Sequence, residues 1–208
     1  MMLQSEGIAD FQPMVRERLQ SAITVKNMLL LDDNYQRLVI RVAMRVIESL
    51  GSGGKVILFG NGGSAADAQH LAAEFIGRYL KERRALPALA LSVNLSSLTA
   101  IGNDYGFDLV FARQIEALGK AGDVAIGIST SGNSPNVIQA LGVAKSKSIY
   151  TVSLTGKSGG KSKNVADCTI CIPSEETPRI QECHILTGHL ICEIVEEALL
   201  KNLSYGKA

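Results

Sequence analysis

The chain predicts an α/β fold in which a central five-stranded parallel sheet is covered on both faces by helices, a three-layer sandwich preceded by helices of its own. Three observations carry this. Short apolar runs of strand length recur at Lys55–Phe59, Ala88–Leu91, Val124–Ile128, Tyr150–Leu154 and Cys168–Ile172. The segments between them mostly repeat their apolar residues at helical spacing. Polar, glycine-containing turns follow the first and third runs, where a parallel sheet must pass from strand to helix.

Before the first strand, Phe11, Met14, Val15 and Leu19 and then Leu38, Val42, Val46, Ile47 and Leu50 recur at three and four, which predicts two helices. After the last strand, Ile180, Ile185, Leu190, Ile194 and Val195 predict one long helix from about Pro178 to Leu200. The Gly/Lys/Ser stretch Gly156 to Lys163 reads as a solvated loop. At 208 residues, one domain over 1–208 is expected, with a helical extension over about 1–50. There is no internal repeat.

The segment from Phe59 to Glu74 joins a glycine-rich turn, a helix start and a His/Glu pair. A strand-to-helix turn aims free backbone N–H groups at an anion, so Gly60-Asn61-Gly62-Gly63-Ser64 suits a phosphate. Glycine also serves such turns for packing alone, so the motif needs a second witness. In the following helix His70 and Glu74 lie four apart and share a face, as acid/base groups, metal ligands or a solvated pair. The witness is Ile128-Ser129-Thr130-Ser131-Gly132-Asn133-Ser134-Pro135, again between a strand and a helix start. Its hydroxyls and free amides can surround phosphate without a fixed positive charge, and Pro135 suits the first helical position. An ordinary capping turn would use the same residue types.

Net charge and cysteine usage narrow the class. Lys+Arg number 21 against 20 Asp+Glu, a net charge of +1, with no long basic cluster, so nucleic acid is not an expected partner. Met1 to Asp10 lacks the cationic flank and apolar core of a signal peptide, and no apolar run approaches the ~20 residues of a spanning helix, which predicts a cytoplasmic protein without a membrane partner. Cys168 and Cys171 are three apart in a strand and face opposite ways, while Cys183 and Cys192 sit among Leu and Ile on a helix. All four are expected as reduced packing residues rather than metal ligands.

These loops, in this order, resemble the sugar isomerase (SIS) domain, a phosphosugar-binding family with a flavodoxin-like fold. Within it the chain is similar to the phosphoheptose isomerases. The likeness rests on Gly60-Asn61-Gly62-Gly63-Ser64, His70 to Glu74, Gly77-Arg78-Tyr79, Gly102 to Phe107, Ser129 to Ser134, Leu154-Thr155-Gly156, and Arg179-Ile180-Gln181-Glu182 with His189. It covers roughly Asp10 to Leu200.

The resemblance implies an aldose–ketose isomerase that converts sedoheptulose 7-phosphate to D-glycero-D-manno-heptose 7-phosphate, opening activated-heptose synthesis for products such as lipopolysaccharide. A homotetramer is implied, with sites possible between subunits. Such a reaction moves a proton between C1 and C2 through an enediol, so one base and one acid suffice. By resemblance Glu74 is the base and His189 the acid, and His70, Glu74, Gln181 and His189 hold one zinc ion per site. Asn61, Gly62, Gly63, Glu74, Asn103, Asp104 and Gln181 are implied to meet the sugar, and Ser64, Ser129, Thr130, Ser131 and Ser134 the phosphate. Zinc ligation and proton transfer compete for the same groups, and whether the ion is catalytic or structural stays open. His184 is a rival that could instead point into the core. Pro178 stands where relatives can carry a carboxylate, so no contact is assigned to it. Two other classes share the loops: a non-catalytic SIS protein that binds the replication initiator, and a sugar-phosphate-sensing regulator. Neither needs the pair Glu74 and His189.

Overall fold

The computed structural model describes residues 11–201, so the expectations for Met1 to Asp10 and for the outer ends of 1–208 lie outside the described residues. Two helices come first, α1 (Gln12–Leu30) and α2 (Asp33–Gly51). The strands are β1 (Val56–Gly60), β2 (Ala88–Ala90), β3 (Val124–Ser129), β4 (Tyr150–Gly156) and β5 (Cys168–Ile172), within a residue or two of the expected runs. Between and after them lie α3 (Gly63–Ile76), α4 (Leu95–Tyr105), α5 (Ala112–Leu118), α6 (Pro135–Ser146) and α7 (Thr177–Leu200).

All strand pairs are parallel, in the order β2-β1-β3-β4-β5. This is the flavodoxin-like order, whose direction reverses between β1 and β3. The register sets Gly60 beside Ile128 and Ser129 beside Thr155, so the loops leaving β1, β3 and β4 emerge side by side at the carboxyl edge.

Because successive strand residues face opposite ways, each strand feeds two cores. Val56, Leu58, Ile126, Val152 and Ile170 pack against α2, α3 and α7. Ile57, Phe59 and Ala125 pack against Ile115 of α5 and Val137 and Leu141 of α6. Asp32 caps α2 by accepting the N–H groups of Asn34 and Tyr35, and Val42, Val46, Ile47 and Leu50 are buried as their spacing requires. Helix α1 behaves differently. Only Val25 and Leu29 of its apolar residues are buried, while Phe11, Met14, Val15 and Leu19 stand exposed.

One expectation fails. The stretch Gly156 to Lys163 is not a solvated loop throughout, since Gly159 and Ser162 are buried. Ser162 donates its N–H to the Gly132 carbonyl and its side chain bonds Ser153, so these polar groups find partners inside the fold. That stretch buttresses the loop after β3. Among the described residues, no helix is long and apolar enough to cross a membrane.

Candidate active site

The turn between β1 and α3 favours its glycines. Gly62 takes φ of +54°, open to glycine at no steric cost, and serves as the N-cap of α3. A Cβ on Gly63 would lie 2.6 Å from Nε2 of Gln181, so the bare backbone lets the α7 amide rest on the start of α3. Neither Gly62 nor Ser134, the N-cap of α6, makes a side-chain cap bond. Both helix starts therefore keep the anion-attracting character of uncapped N-termini.

The second loop is internally ordered. Ser129 and Ser134 share a hydroxyl–hydroxyl bond of 2.9 Å, and the Asn133 N–H donates to the Ser131 hydroxyl at 3.1 Å. Asn133 also accepts from the Lys161 N–H, joining this loop to the stretch after β4. Thr130 is half-buried and Ser131 exposed, while Ser64 is buried at the base of the first turn. The two loops are tied together by a reciprocal amide pair: Asn61 and Asn136 each donate Nδ2 to the other's Oδ1 at 2.9 Å. Sequence reasoning missed Asn136. The one available signal was an amide directly after a helix-initiating proline.

Helices α3 and α7 run parallel and in contact. Gln181 lies against Gly63, Gly188 against Leu71, and His189 against His70. The Nε2 atoms of His70 and His189 are 2.9 Å apart, and His70 Nε2 stands 3.3 Å from Glu74 Oε1. The ligand atoms of His70, Glu74 and His189 all lie within 4.8 Å of one another. Burial, followed by the charge of His70, pushes the His189 imidazole below its ordinary range, with Glu74 opposing. The neutral imidazole so favoured is the form that binds a metal. Two imidazoles and a carboxylate match a zinc donor set, so the residues fit the ion their resemblance implies. The Gln181 amide reaches from α7 to Gly63, which lies seven residues before His70 on α3, roughly 10 Å of helical rise.

Other candidates make no side-chain hydrogen bond to this trio among the described residues. Asn103 and Asp104 are exposed at the end of α4 and hydrogen-bond each other at 2.8 Å; no hydrogen bond among the described residues joins them to either loop. Arg78 is exposed, 3.9 Å from Glu82. His184 is 1% exposed, its ring nitrogens without a full hydrogen bond though the Thr155 backbone is near, and burial lowers its pKa to about 4. It is a neutral core residue. The four cysteines are free, and burial raises the Cys192 thiol to about 12, leaving it unreactive.

Comparisons with known proteins agree with this geometry. The SIS domain family matches residues 31–156. Phosphoheptose isomerase of Aneurinibacillus thermoaerophilus is 53% identical over 188 residues, covering 90% of this chain and 95% of that protein. The structure of phosphoheptose isomerase from Neisseria gonorrhoeae superposes with a TM-score of 0.82 at 42% identity, covering 90% of this chain and 99% of that one. One from Francisella tularensis gives 0.85 at 34% identity, covering 89% and 97%. With matches of this extent across nearly the whole fold, the chain belongs to the SIS domain family and, within it, to the phosphoheptose isomerases, a family of aldose–ketose isomerases.

Proposed function

We propose that the protein isomerises sedoheptulose 7-phosphate to D-glycero-D-manno-heptose 7-phosphate, the opening step of activated-heptose synthesis, in the cytoplasm. The observation that carries this is the meeting of Glu74, His70 and His189 across two helices, one of which starts at the glycine turn of the β1/β3 switch point. Ligands of open parallel sheets bind there, beyond the carboxyl ends of the strands.

The uncapped start of α6, with Ser129, Thr130, Ser131 and Ser134, receives the phosphate, assisted by Ser64. Asn61, Gly62, Gly63 and Gln181 face the sugar, with Asn103 and Asp104 as further sugar contacts. Glu74 takes the C1 proton while His189 gives its N–H proton to O2, which yields the enediol. His189 then takes the O1 proton, the electron pair collapses to the C1 carbonyl, and Glu74 returns its proton to C2. His70, Glu74 and His189 would hold zinc, with Gln181 the fourth donor in the proposed set. An ion held there would supply polarisation of the carbonyl.

The chain is best taken as one SIS domain over 1–208 that assembles as a homotetramer. The exposed apolar side chains of α1, with those of Leu95 and Phe107, support assembly and a site shared between subunits. The test is turnover of purified protein on sedoheptulose 7-phosphate, with and without chelator. Absence of turnover in metal-replete protein would overturn the proposal and favour a sugar-phosphate sensor.

A further inference from the structure

Among the described residues, the most deeply buried ion pair joins Arg83 to Glu196, whose side chains are 5% and 3% exposed. Neither belongs to the acid–base or phosphate groups. Arg83 Nε stands 3.2 Å from Glu196 Oε1, at ion-pair distance but without hydrogen-bond alignment. The rest of the guanidinium is spent on backbone. Nη1 donates to the carbonyls of Phe75, Gly77 and Arg84 at 2.9, 3.0 and 3.0 Å, and Nη2 donates to the Glu74 carbonyl at 2.6 Å. Three of these carbonyls belong to the last turn of α3 or its cap, the groups a helix end leaves without partners. A cation there also complements the helix dipole.

Glu196 holds the other side of the same segment, accepting the N–H groups of Tyr79, Leu80 and Lys81 at 3.1, 2.8 and 2.8 Å. It lies seven residues after His189, two turns on along one face of α7. With its backbone held in this way, Tyr79 lays its ring 5.4 Å from the His189 ring at an interplanar angle of 33°. His189 thus has two ring neighbours, Tyr79 and, 5.1 Å away, His70. A planar fork can serve several carbonyls and a carboxylate at once, whereas a lysine ammonium cannot.

We infer that Arg83, Glu196 and Tyr79 are positioning residues for the isomerisation: the buried pair pins the segment after α3 so that Tyr79 backs His189 and the Glu74 peptide keeps its place. This rests on the acid–base roles given above to Glu74 and His189. A buried ion pair is weak evidence for stability in itself, while fixing one conformation is a use such pairs can serve. The cluster lies at the proton-transfer end of α3 and α7, away from the phosphate loops. Its loss therefore acts on kcat and leaves KM nearly unchanged.

The test is steady-state kinetics and thermal unfolding of Tyr79→Ala, Tyr79→Phe, Arg83→Lys and the double variant Tyr79→Ala/Arg83→Lys. Expected for Tyr79→Ala is a kcat about 10- to 100-fold lower, the scale of an ångström-level misplacement, with KM within about twofold and the unfolding midpoint near wild type. Tyr79→Phe keeps the ring and should keep kcat. Arg83→Lys should lower kcat, and the double variant should be no worse than the poorer single, because both act on one contact. Wild-type kcat in Tyr79→Ala, a rise confined to KM, or additive losses in the double variant would each overturn the inference. If Arg83→Lys fails to fold, the two Tyr79 variants still decide. Glu74→Gln and His189→Ala belong in the same series. Normal turnover in those two would sink the acid–base assignment, whereas their inactivity beside a fully active Tyr79→Ala would sink the positioning role alone.

Discussion

Gly188→Ala tests whether the close contact of α3 with α7 sets the distance between His70 and His189. A Cβ at position 188 would lie 2.4 and 2.5 Å from the two Cδ atoms of Leu71 and 3.0 Å from its Cγ. Leu71 is 2% exposed, so it has no solvent to turn into, and the new methyl must rotate it within the core or push the helices apart. Overpacking of this kind costs about 1–3 kcal/mol, offset by about 1 kcal/mol of gained helix propensity, for a net loss of about 0–2 kcal/mol. Activity should suffer more. His189 follows residue 188 directly, and His70 precedes Leu71, so a shift near 1 Å falls on the site and can lower kcat by as much as ~100-fold. Leu71→Ala alone should cost about 2–5 kcal/mol, but combined with Gly188→Ala it leaves room for the methyl, giving a coupling of at least about 1 kcal/mol and partial recovery of kcat. Urea unfolding and steady-state kinetics on the four proteins of the cycle measure both. Additive free energies together with wild-type kcat in Gly188→Ala would refute the idea that this crossing spaces the histidines.

Glu74→Gln and His189→Ala should each lower turnover by at least ~100-fold with the circular dichroism spectrum unchanged, and near-normal kinetics in either removes that residue from the chemistry. Ser131→Ala and Ser134→Ala should raise KM by roughly ten- to a hundredfold, from about 1.5–3 kcal/mol per lost hydroxyl contact to phosphate, so an unchanged saturation curve would locate the phosphate elsewhere. Elemental analysis should find about one zinc per chain in wild type and less in His70→Ala, with chelated enzyme recovering on zinc addition; active, metal-free protein would exclude the ion. For Glu196, burial pushes the carboxyl up, but the N–H groups of Leu80, Lys81 and Tyr79 and the Arg83 charge outweigh it and hold the pKa below the ordinary carboxylate value. A depressed folded-state pKa gives stability that is complete above the unfolded value and lost as pH falls through the folded one, so the acid limb of stability should be shallower in Glu196→Gln than in wild type when unfolding is followed below about pH 4.5.

The sheet was legible because its signals are local. Val56-Ile57-Leu58-Phe59 is apolar without a break since the strand is buried on both faces, and Cys168-Thr169-Ile170-Cys171-Ile172 alternates because only one face of that edge strand is fully covered. Glycines at a strand end, a proline at a helix start and His70 four residues before Glu74 are likewise features of neighbouring residues. They identified both loops and one half of the charged cluster. The stretch Gly156 to Lys163 was misjudged for the same reason: its composition is that of a solvated loop, and only docking against the Gly132 carbonyl and Ser153 buries Ser162.

What the sequence alone determined is the order of strands and helices, the identity of the loops and the residue types available for acid–base and metal chemistry, because propensity, periodicity and turn geometry act over a few residues. Tertiary structure alone decided which of those residues meet. His189 joins His70 and Glu74 across 119 and 115 positions, and Gln181 meets Gly63, because α3 and α7 lie side by side where Gly188 lets Leu71 approach. His184, on the same helix as His189, is turned into the core by the angle between them around the axis. Arg83 and Glu196 carry no local signature at all, since a buried ion pair exists only once the fold has brought its two halves together.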